Sequence, residues 1–252
     1  MAYRTALITG ASSGIGAGLA RRLATKGAAV VLCARRKEEL ESLATDIRAA
    51  NGIARVRVVD VADGDAVAAV VRAADDELGG LDLIIANAGV GVMSHKPPAW
   101  EDARAMCNVN FTGAIATLTA VLPRMLERRR GHLVGISSLS ALAPLPTSSV
   151  YSATKAGLTM FIESLQIDLH GTGVHATVVH PGFVRTRMTA KNRFPMPFLL
   201  ELDDAVDRIA ERLPDAPARI DFPLPLSAAI HFAAALPARV RSLVLSRSVR
   251  SR

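Results

Sequence analysis

Tyr151 and Lys155 stand four residues apart at the start of a helical pattern, so both project from one face, about one turn separated. A phenol beside an ammonium suits a proton donor and its tuner. A free tyrosine titrates near 10, so exchanging a proton near neutrality asks for a downward shift of up to ~3 units, or ~4 kcal/mol of preferential phenolate stabilisation. The lysine charge pushes that way. Ser138 falls at the end of an apolar strand pattern, where its hydroxyl can bond the same substrate oxygen, and Asn110 can hold a water next to Lys155. Each has a plain alternative: a helical accident for the pair, a turn for Ser137-Ser138, and a satisfied buried amide for Asn110.

A second chemistry-bearing stretch lies at the other end of the chain. Ala6-Leu7-Ile8 reads as a buried strand and Ile15 to Leu23 as a helix, joined by Thr9-Gly10-Ala11-Ser12-Ser13-Gly14-Ile15-Gly16. The orphan N–H groups and positive dipole end of the helix face whatever sits over this bend, and glycine lets a pyrophosphate approach the backbone. The next strand, Ala29 to Cys33, is followed by Ala34-Arg35-Arg36. An acid there would bind a ribose 2′-OH, whereas arginine accommodates a 2′-phosphate, so NADP(H) is favoured over NAD(H). The bland alternative is a solvated helix start, although cations there oppose the helix dipole. Asp60 can bind an adenine amino group or cap the turn before a helix near Asp63.

These residues need a frame that brings them together. Strand patterns at 6–8, 29–33, 55–59, 81–85, 132–136 and 174–179 alternate with helices at 15–23, 38–50, from about 63, from Asn108 through Leu126, from Tyr151 to about His170, and 203–213. That order describes one α/β domain with a doubly wound, mostly parallel Rossmann-like sheet and helices on both faces. Asn87-Ala88-Gly89 and Pro181-Gly182 then fall at carboxyl ends of strands, where open parallel sheets bind ligands. The expected division is a cofactor-binding and catalytic core over 1–186 and a divergent lid and basic tail over 187–252, within the same domain.

The bulk composition agrees with an enzyme-sized domain. Of 252 residues half are hydrophobic and only 4% aromatic, which suits a sheet of small aliphatic side chains. The formal charge is +7, but the stretch from Arg219 to Arg252 holds six arginines against one acid, with only Phe222 and Phe232 as aromatics. Nucleic acid is therefore not an expected partner. Cys33 and Cys107 lack C-x-x-C spacing, no targeting segment is legible, and a reduced, cytoplasmic protein is expected. Phe222 to Ala238 is apolar but broken by Pro223, Pro225 and Pro237, so no membrane span is expected there. No metal site is expected either.

Thr9 to Gly16, Asn87-Ala88-Gly89, Asn110, Ser138, Tyr151-x-x-x-Lys155 and Pro181-Gly182 resemble, in order and spacing, the short-chain dehydrogenase/reductase family over roughly residues 4 to 190. The resemblance implies reversible transfer of a hydride between NADP(H) and a ketone, aldehyde or secondary alcohol. Asn110, Ser138, Tyr151 and Lys155 match the family's tetrad: Tyr151 the general acid/base, Ser138 orienting the substrate oxygen, Lys155 also gripping the nicotinamide ribose, Asn110 anchoring a relay water. Gly10, Ser12, Ser13, Gly14, Ile15 and Gly16 match the pyrophosphate turn, Asp60 and Val61 adenine contacts, and Asn87, Ala88 and Gly89 the adenosine-ribose side. Pro181, Gly182, Val184 and Thr186 match the nicotinamide side, and Arg35 with Arg36 the 2′-phosphate. A bound but unreacted dinucleotide, as in a sensor, is the alternative function.

The pattern departs from the family after Thr186, where neither a short terminal strand nor a Gly-Gly tail is legible. That puts a carrier-protein substrate and the usual tetramer in doubt. Phe183, Met188, Phe194, Met196, Phe198 and Leu199 are expected to form an apolar lid for a lipophilic substrate, or merely to pack. The tail, from Ser227 to Ala235 and Arg239 to Val249, suits a homodimer contact or peripheral attachment to an anionic bilayer.

Overall fold

The computed structural model describes residues 3–91, 98–192 and 194–243. Seven strands form a single sheet: β1 (Thr5–Thr9), β2 (Ala29–Ala34), β3 (Ala54–Val58), β4 (Leu83–Ala86), β5 (Gly131–Ile136), β6 (Val174–Pro181) and β7 (Arg219–Phe222). Their spatial order is β3-β2-β1-β4-β5-β6-β7, every neighbouring pair parallel, so the chain is one Rossmann-like domain. β1, β4 and β5 are buried throughout, as their unbroken apolar runs require of strands covered on both faces.

Helices α1 (Gly14–Thr25), α2 (Lys37–Ala49) and α8 (Leu202–Arg212) cover one face, burying Leu19, Leu40 and Ile209 against Ile8 and Leu32. On the other lie α3 (Gly64–Glu77), α4 (Trp100–Cys107), α5 (Gly113–Thr119), α6 (Leu122–Glu127) and α7 (Ser149–Asp168), with Val67, Leu118, Met125 and Ile162 against Leu7 and Ile84. Each fully buried large aliphatic side chain contributes ~1.5–3 kcal/mol. Strand order reverses between β1 and β4, and the cleft at their carboxyl ends is where this architecture places a ligand.

Three elements differ from the pattern. The helix expected from Asn108 starts eight residues earlier, at Trp100, and runs through a π turn at Asn108–Thr112 into α5. Asn108 is helical, at φ −63° and ψ −43°, so it lies inside the helix and does not start it. The helix breaks after α5, and Pro123, which has no N–H to give, is accommodated in the first turn of α6. The run Trp100–Glu127 is long and apolar enough to cross a membrane by composition, yet Leu118, Val121 and Met125 are spent inside the core.

The third difference corrects the expectation of no terminal strand. Arg219–Phe222 pairs with β6 and buries Ile220 and Phe222. Four residues flanked by Pro217 and Pro223 give too little alternation to read as a strand, and only the open edge of β6 completes it. Residues after 186 thus enter the main core: α8 lies so close to α1 that a Cβ on Gly18 would meet Val206 Cγ2 at 2.4 Å. Helix α9 (Leu224–Ala235) buries Ile230 and leaves Leu224 and Phe232 exposed.

Candidate active site

The glycine bend depends on its neighbours across the sheet. Gly10 takes φ +68°, and a Cβ there would come within 2.8 Å of Ala88 Cα. Asn87 holds the bend from the side, its Nδ2 donating to the carbonyls of Thr9 and Gly10 at 2.9 and 3.3 Å. Thr9 Oγ1 in turn accepts from the N–H groups of Asn87 and Ala88. Gly16 faces inward: a Cβ would sit 2.4 Å from Asn87 Nδ2 and 2.6 Å from the Gly10 carbonyl oxygen. Gly16 therefore lets α1 close on the bend and does not line the cleft, a correction to its expected place among the ligand contacts.

The other expected cofactor residues do line one cleft of about 440 Å³: Gly10, Ser12, Ser13, Gly14, Ile15, Arg35, Arg36, Asp60, Val61, Asn87, Ala88, Gly89, Pro181, Gly182, Val184 and Thr186, together with Ser138, Tyr151 and Lys155. Arg36 reaches across to the bend and donates to Ser12 and Ser13 hydroxyls at 2.8 Å. That contact spans 23 to 24 residues and leaves no short-range trace in the sequence. Arg35 is more exposed and lies 3.5 Å from Asp60 Oδ2. Asp60 Oδ1 accepts from Ala62 N–H, so it does cap the turn, while Asp63 caps α3 through Ala66 N–H.

Two consecutive residues at the end of β5 hold the first turns of α7. The Ile136 carbonyl accepts from Lys155 Nζ at 2.7 Å, Ser137 Oγ donates to the Lys155 carbonyl at 2.9 Å, and the Ser138 hydroxyl, which accepts from Ser140 N–H at 3.1 Å, lines the cleft beside Tyr151. Ser137 was legible only as turn material, yet it fixes the helix. Lys155 Nζ lies 5.9 Å from the Tyr151 ring centroid. Burial brings the Lys155 ammonium down to about 8.

Burial also raises the Tyr151 phenol above its ordinary value, against a smaller lowering by the neighbouring Ser138 hydroxyl. In the protein alone, with its ammonium turned to the Ile136 carbonyl, Lys155 does not offset the loss of water around the phenol. A phenol raised in this way is protonated at neutral pH and can act as an acid.

Asn110 is fully buried in the π turn. Its Oδ1 accepts from Val90 N–H at 2.8 Å, and Nδ2 donates to the Val90 carbonyl and to Thr154 Oγ1 at 2.9 and 3.1 Å. Both amide protons are spent on protein atoms, and Asn110 is not a wall of the cleft. What it holds is the strand end beyond Gly89, itself so near that a Cβ there would meet Lys155 Nζ at 3.4 Å and Asn110 Oδ1 at 3.5 Å.

A second cavity, of about 320 Å³, opens on the same phenol. Ser138, Tyr151, Gly182, Met188 and Thr189 line both spaces. Phe183 and Phe194 meet edge to face with centroids 5.9 Å apart on its wall. Of the expected lid, Phe183, Met188 and Phe194 line this cavity, and Met196, Phe198 and Leu199 are not among its lining residues. Phe198 is exposed, and Met196 accepts from the Asn192 amide. Leu226 and Ile230 of α9 take their place, brought there by the unread strand β7.

The Lys155 value gives a pH prediction. Binding of an anionic dinucleotide beside this ammonium should weaken as pH rises through about 8, where the charge is lost, and stay strong below it. Fluorescence titration with NADPH from pH 7 to 9.5 measures it. A Lys155→Met variant should bind more weakly and lose that pH step.

Fold and site together define a nucleotide-binding oxidoreductase. The short chain dehydrogenase family model matches residues 4–196, and the chain belongs to the short-chain dehydrogenase/reductase family. An uncharacterized oxidoreductase of Myxococcus xanthus is 48% identical over 238 residues, 94% of each chain. A short-chain dehydrogenase from Sphingobium yanoikuyae in complex with NADPH superposes with a TM-score of 0.81 at 28% identity, covering 98% of this chain and 94% of the other. A 3-ketoacyl-(acyl-carrier-protein) reductase from Brucella melitensis, complexed with NADH, gives 0.77 at 28% identity over 86% and 96%.

Proposed function

We propose that this oxidoreductase reduces the carbonyl of a lipophilic ketone or aldehyde, or oxidises the corresponding secondary alcohol, with NADP(H) and with Tyr151 as general acid/base. The observation that carries the reading is the Tyr151 phenol standing where the polar cleft meets the apolar cavity, with Ser138 lining both spaces beside it.

The residues present fit a dinucleotide. The Gly10 bend is a cradle that a Cβ would fill, α1 points its first N–H groups into it, and Arg36 lines the cleft beside Ser12 and Ser13. Gly10, Ser12 to Ile15, Asp60, Val61 and Asn87 to Gly89 would hold the adenosine and pyrophosphate, with Pro181, Gly182, Val184 and Thr186 at the nicotinamide side. The cofactor supplies the hydride. Ser138 orients the substrate oxygen by hydrogen bond, and Tyr151 passes it a proton when the carbonyl is reduced or accepts one when the alcohol is oxidised. Lys155 stabilises the phenolate left behind, and Asn110 keeps the Gly89-Val90 segment in place beside it.

Ala34 stands where a ribose-binding acid would, and the next two residues are Arg35 and Arg36, which supports NADP(H) over NAD(H). Arg35→Asp and Arg36→Ala should each raise the Kd for NADPH about tenfold or more, with NADH changed less than about threefold. Equal losses for both cofactors, read by fluorescence titration, would reject the phosphate role.

The walls built by Phe183, Phe194, Leu226 and Ile230 support an apolar substrate. The reading is tested by NADPH oxidation across a panel of aliphatic, aromatic and alicyclic ketones and aldehydes. Stoichiometric NADPH binding without turnover of any member would favour a sensor instead. The two free cysteines support a reducing, cytoplasmic setting, and the exposed Leu224 and Phe232 of α9 support a homodimer contact over an anionic bilayer.

A further inference from the structure

His180, in the carboxyl end of β6, has no exposed surface. Its Nδ1 lies 2.7 Å from Asp221 Oδ1 on β7, and its Nε2 lies 2.9 Å from Thr159 Oγ1 on α7. Thr159 Oγ1 is 2.8 Å from Ser137 Oγ, which donates to the Lys155 carbonyl. Each hydroxyl carries a single proton, and this sets the direction of the whole row. The Lys155 carbonyl only accepts, so the Ser137 proton goes there. Thr159 must then donate to Ser137, and His180 Nε2–H must donate to Thr159. An Asp221 carboxylate also only accepts, so Nδ1 needs a proton as well.

All four contacts are therefore made at once by an imidazolium facing a carboxylate. Burial alone would raise the Asp221 carboxyl, but the hydrogen bond and charge of His180, the His231 bond and Arg219 bring it down to about 2. Among the described residues, the titratable and charged groups around the pair are Asp221 and Arg219 on β7, His231 on α9, and Glu163 on α7, which stands 3.7 Å from Arg219. Lys155 lies at the far end of the row.

A second buried histidine provides the contrast. His132 contacts Tyr3 and Thr177 hydroxyls whose protons go to the carbonyls of Leu213 and Pro217. Its count is the same, but no carboxylate is among its hydrogen-bond partners, and burial brings it down to about 3. It stays neutral, and one of its contacts goes without a proton.

We infer that His180 is a positioning residue: an imidazolium held by Asp221 that drives a one-way row of hydrogen bonds through Thr159 and Ser137 into the Lys155 carbonyl. The row fixes the working turn of α7 against the end of β5, where Ser138 follows Ser137. A neutral His180 keeping its Nδ1 proton turns the row around: Thr159 donates to Nε2, Ser137 donates to Thr159, and the Lys155 carbonyl loses its hydroxyl donor, keeping only the backbone bond of the helix. The positioning role rests on the reading of Lys155 as a cofactor and catalytic group, whereas the protonation state stands without it.

The first test needs no variant. In protein labelled with ¹⁵N-histidine and assigned through its backbone, His180 should show two protonated ring nitrogens at pH 7 and His132 one protonated and one bare. A bare nitrogen on His180 would overturn the inference. The second test uses NADPH as the probe. Thr159→Val should weaken its binding about tenfold, while Thr159→Ser, which keeps the hydroxyl, should stay within about twofold of the parent. Asp221→Asn should match the valine variant and show a bare nitrogen on His180. A valine variant that binds as the parent does would overturn the positioning role. If the parent itself binds no NADPH, the cofactor reading and the positioning role fall together, and the nitrogen signals separate that result from a wrong proton assignment.

Discussion

Tyr151→Phe is expected to lower carbonyl turnover about 10³-fold while leaving the Kd for NADPH within about threefold. Phenylalanine keeps the ring and its packing, so the only group removed is the hydroxyl that stands between the two cavities. Ser138 remains beside the substrate oxygen, but an aliphatic hydroxyl is a far weaker acid than a phenol and leaves no stabilised anion behind. The split between binding and chemistry distinguishes an acid from a structural contact. Stopped-flow NADPH oxidation alongside fluorescence titration measures both, and a variant retaining a tenth of the parent rate would remove Tyr151 from the mechanism.

The second large effect concerns binding. Gly16→Ala should weaken NADPH at least about 100-fold, ~2.7 kcal/mol, although alanine is the better helix former. The new methyl would lie 2.4 Å from Asn87 Nδ2 and 2.6 Å from the Gly10 carbonyl oxygen. Asn87 is the side chain that ties the bend to β4, and the Gly10 carbonyl is backbone, so relief of the clash moves the cradle itself. Overpacking of this kind costs ~1–3 kcal/mol of stability as well. Urea unfolding and NADPH titration together test it. Parent-like affinity in a folded variant would show that the bend is not the phosphate site.

What could be read from the chain follows from the range of the interactions involved. The strands 6–8, 29–33 and 132–136 and the bend at Gly10 are local patterns of burial and backbone freedom, and they appear in the sheet within one or two residues of their expected bounds. Tyr151, Lys155 and Ser138 were legible because spacing and chemistry coincide. The start at Trp100 was missed because Asn108 mimics a cap, and β7 because only pairing with β6 makes four residues a strand. Arg36 over Ser12 and Ser13, the buried row from His180 to Lys155, and the wall from α9 are tertiary contacts over long separations. No periodicity encodes them. For a related reason the four-residue spacing of Tyr151 and Lys155 told that a cation stands near the phenol, but not where its ammonium points.

The division of labour at the end of β5 has an evolutionary corollary. Ile136 and Ser137 hold the first turns of α7 from one short piece of backbone, whereas much of the wall of the second cavity comes from residues between 183 and 197 and from α9, which supply neither Tyr151 nor Lys155. Selectivity can drift by exchange of those segments while the reactive geometry is inherited intact. A chimera that grafts the corresponding segments of a relative onto this sheet should change which molecules are turned over without retuning the proton donor.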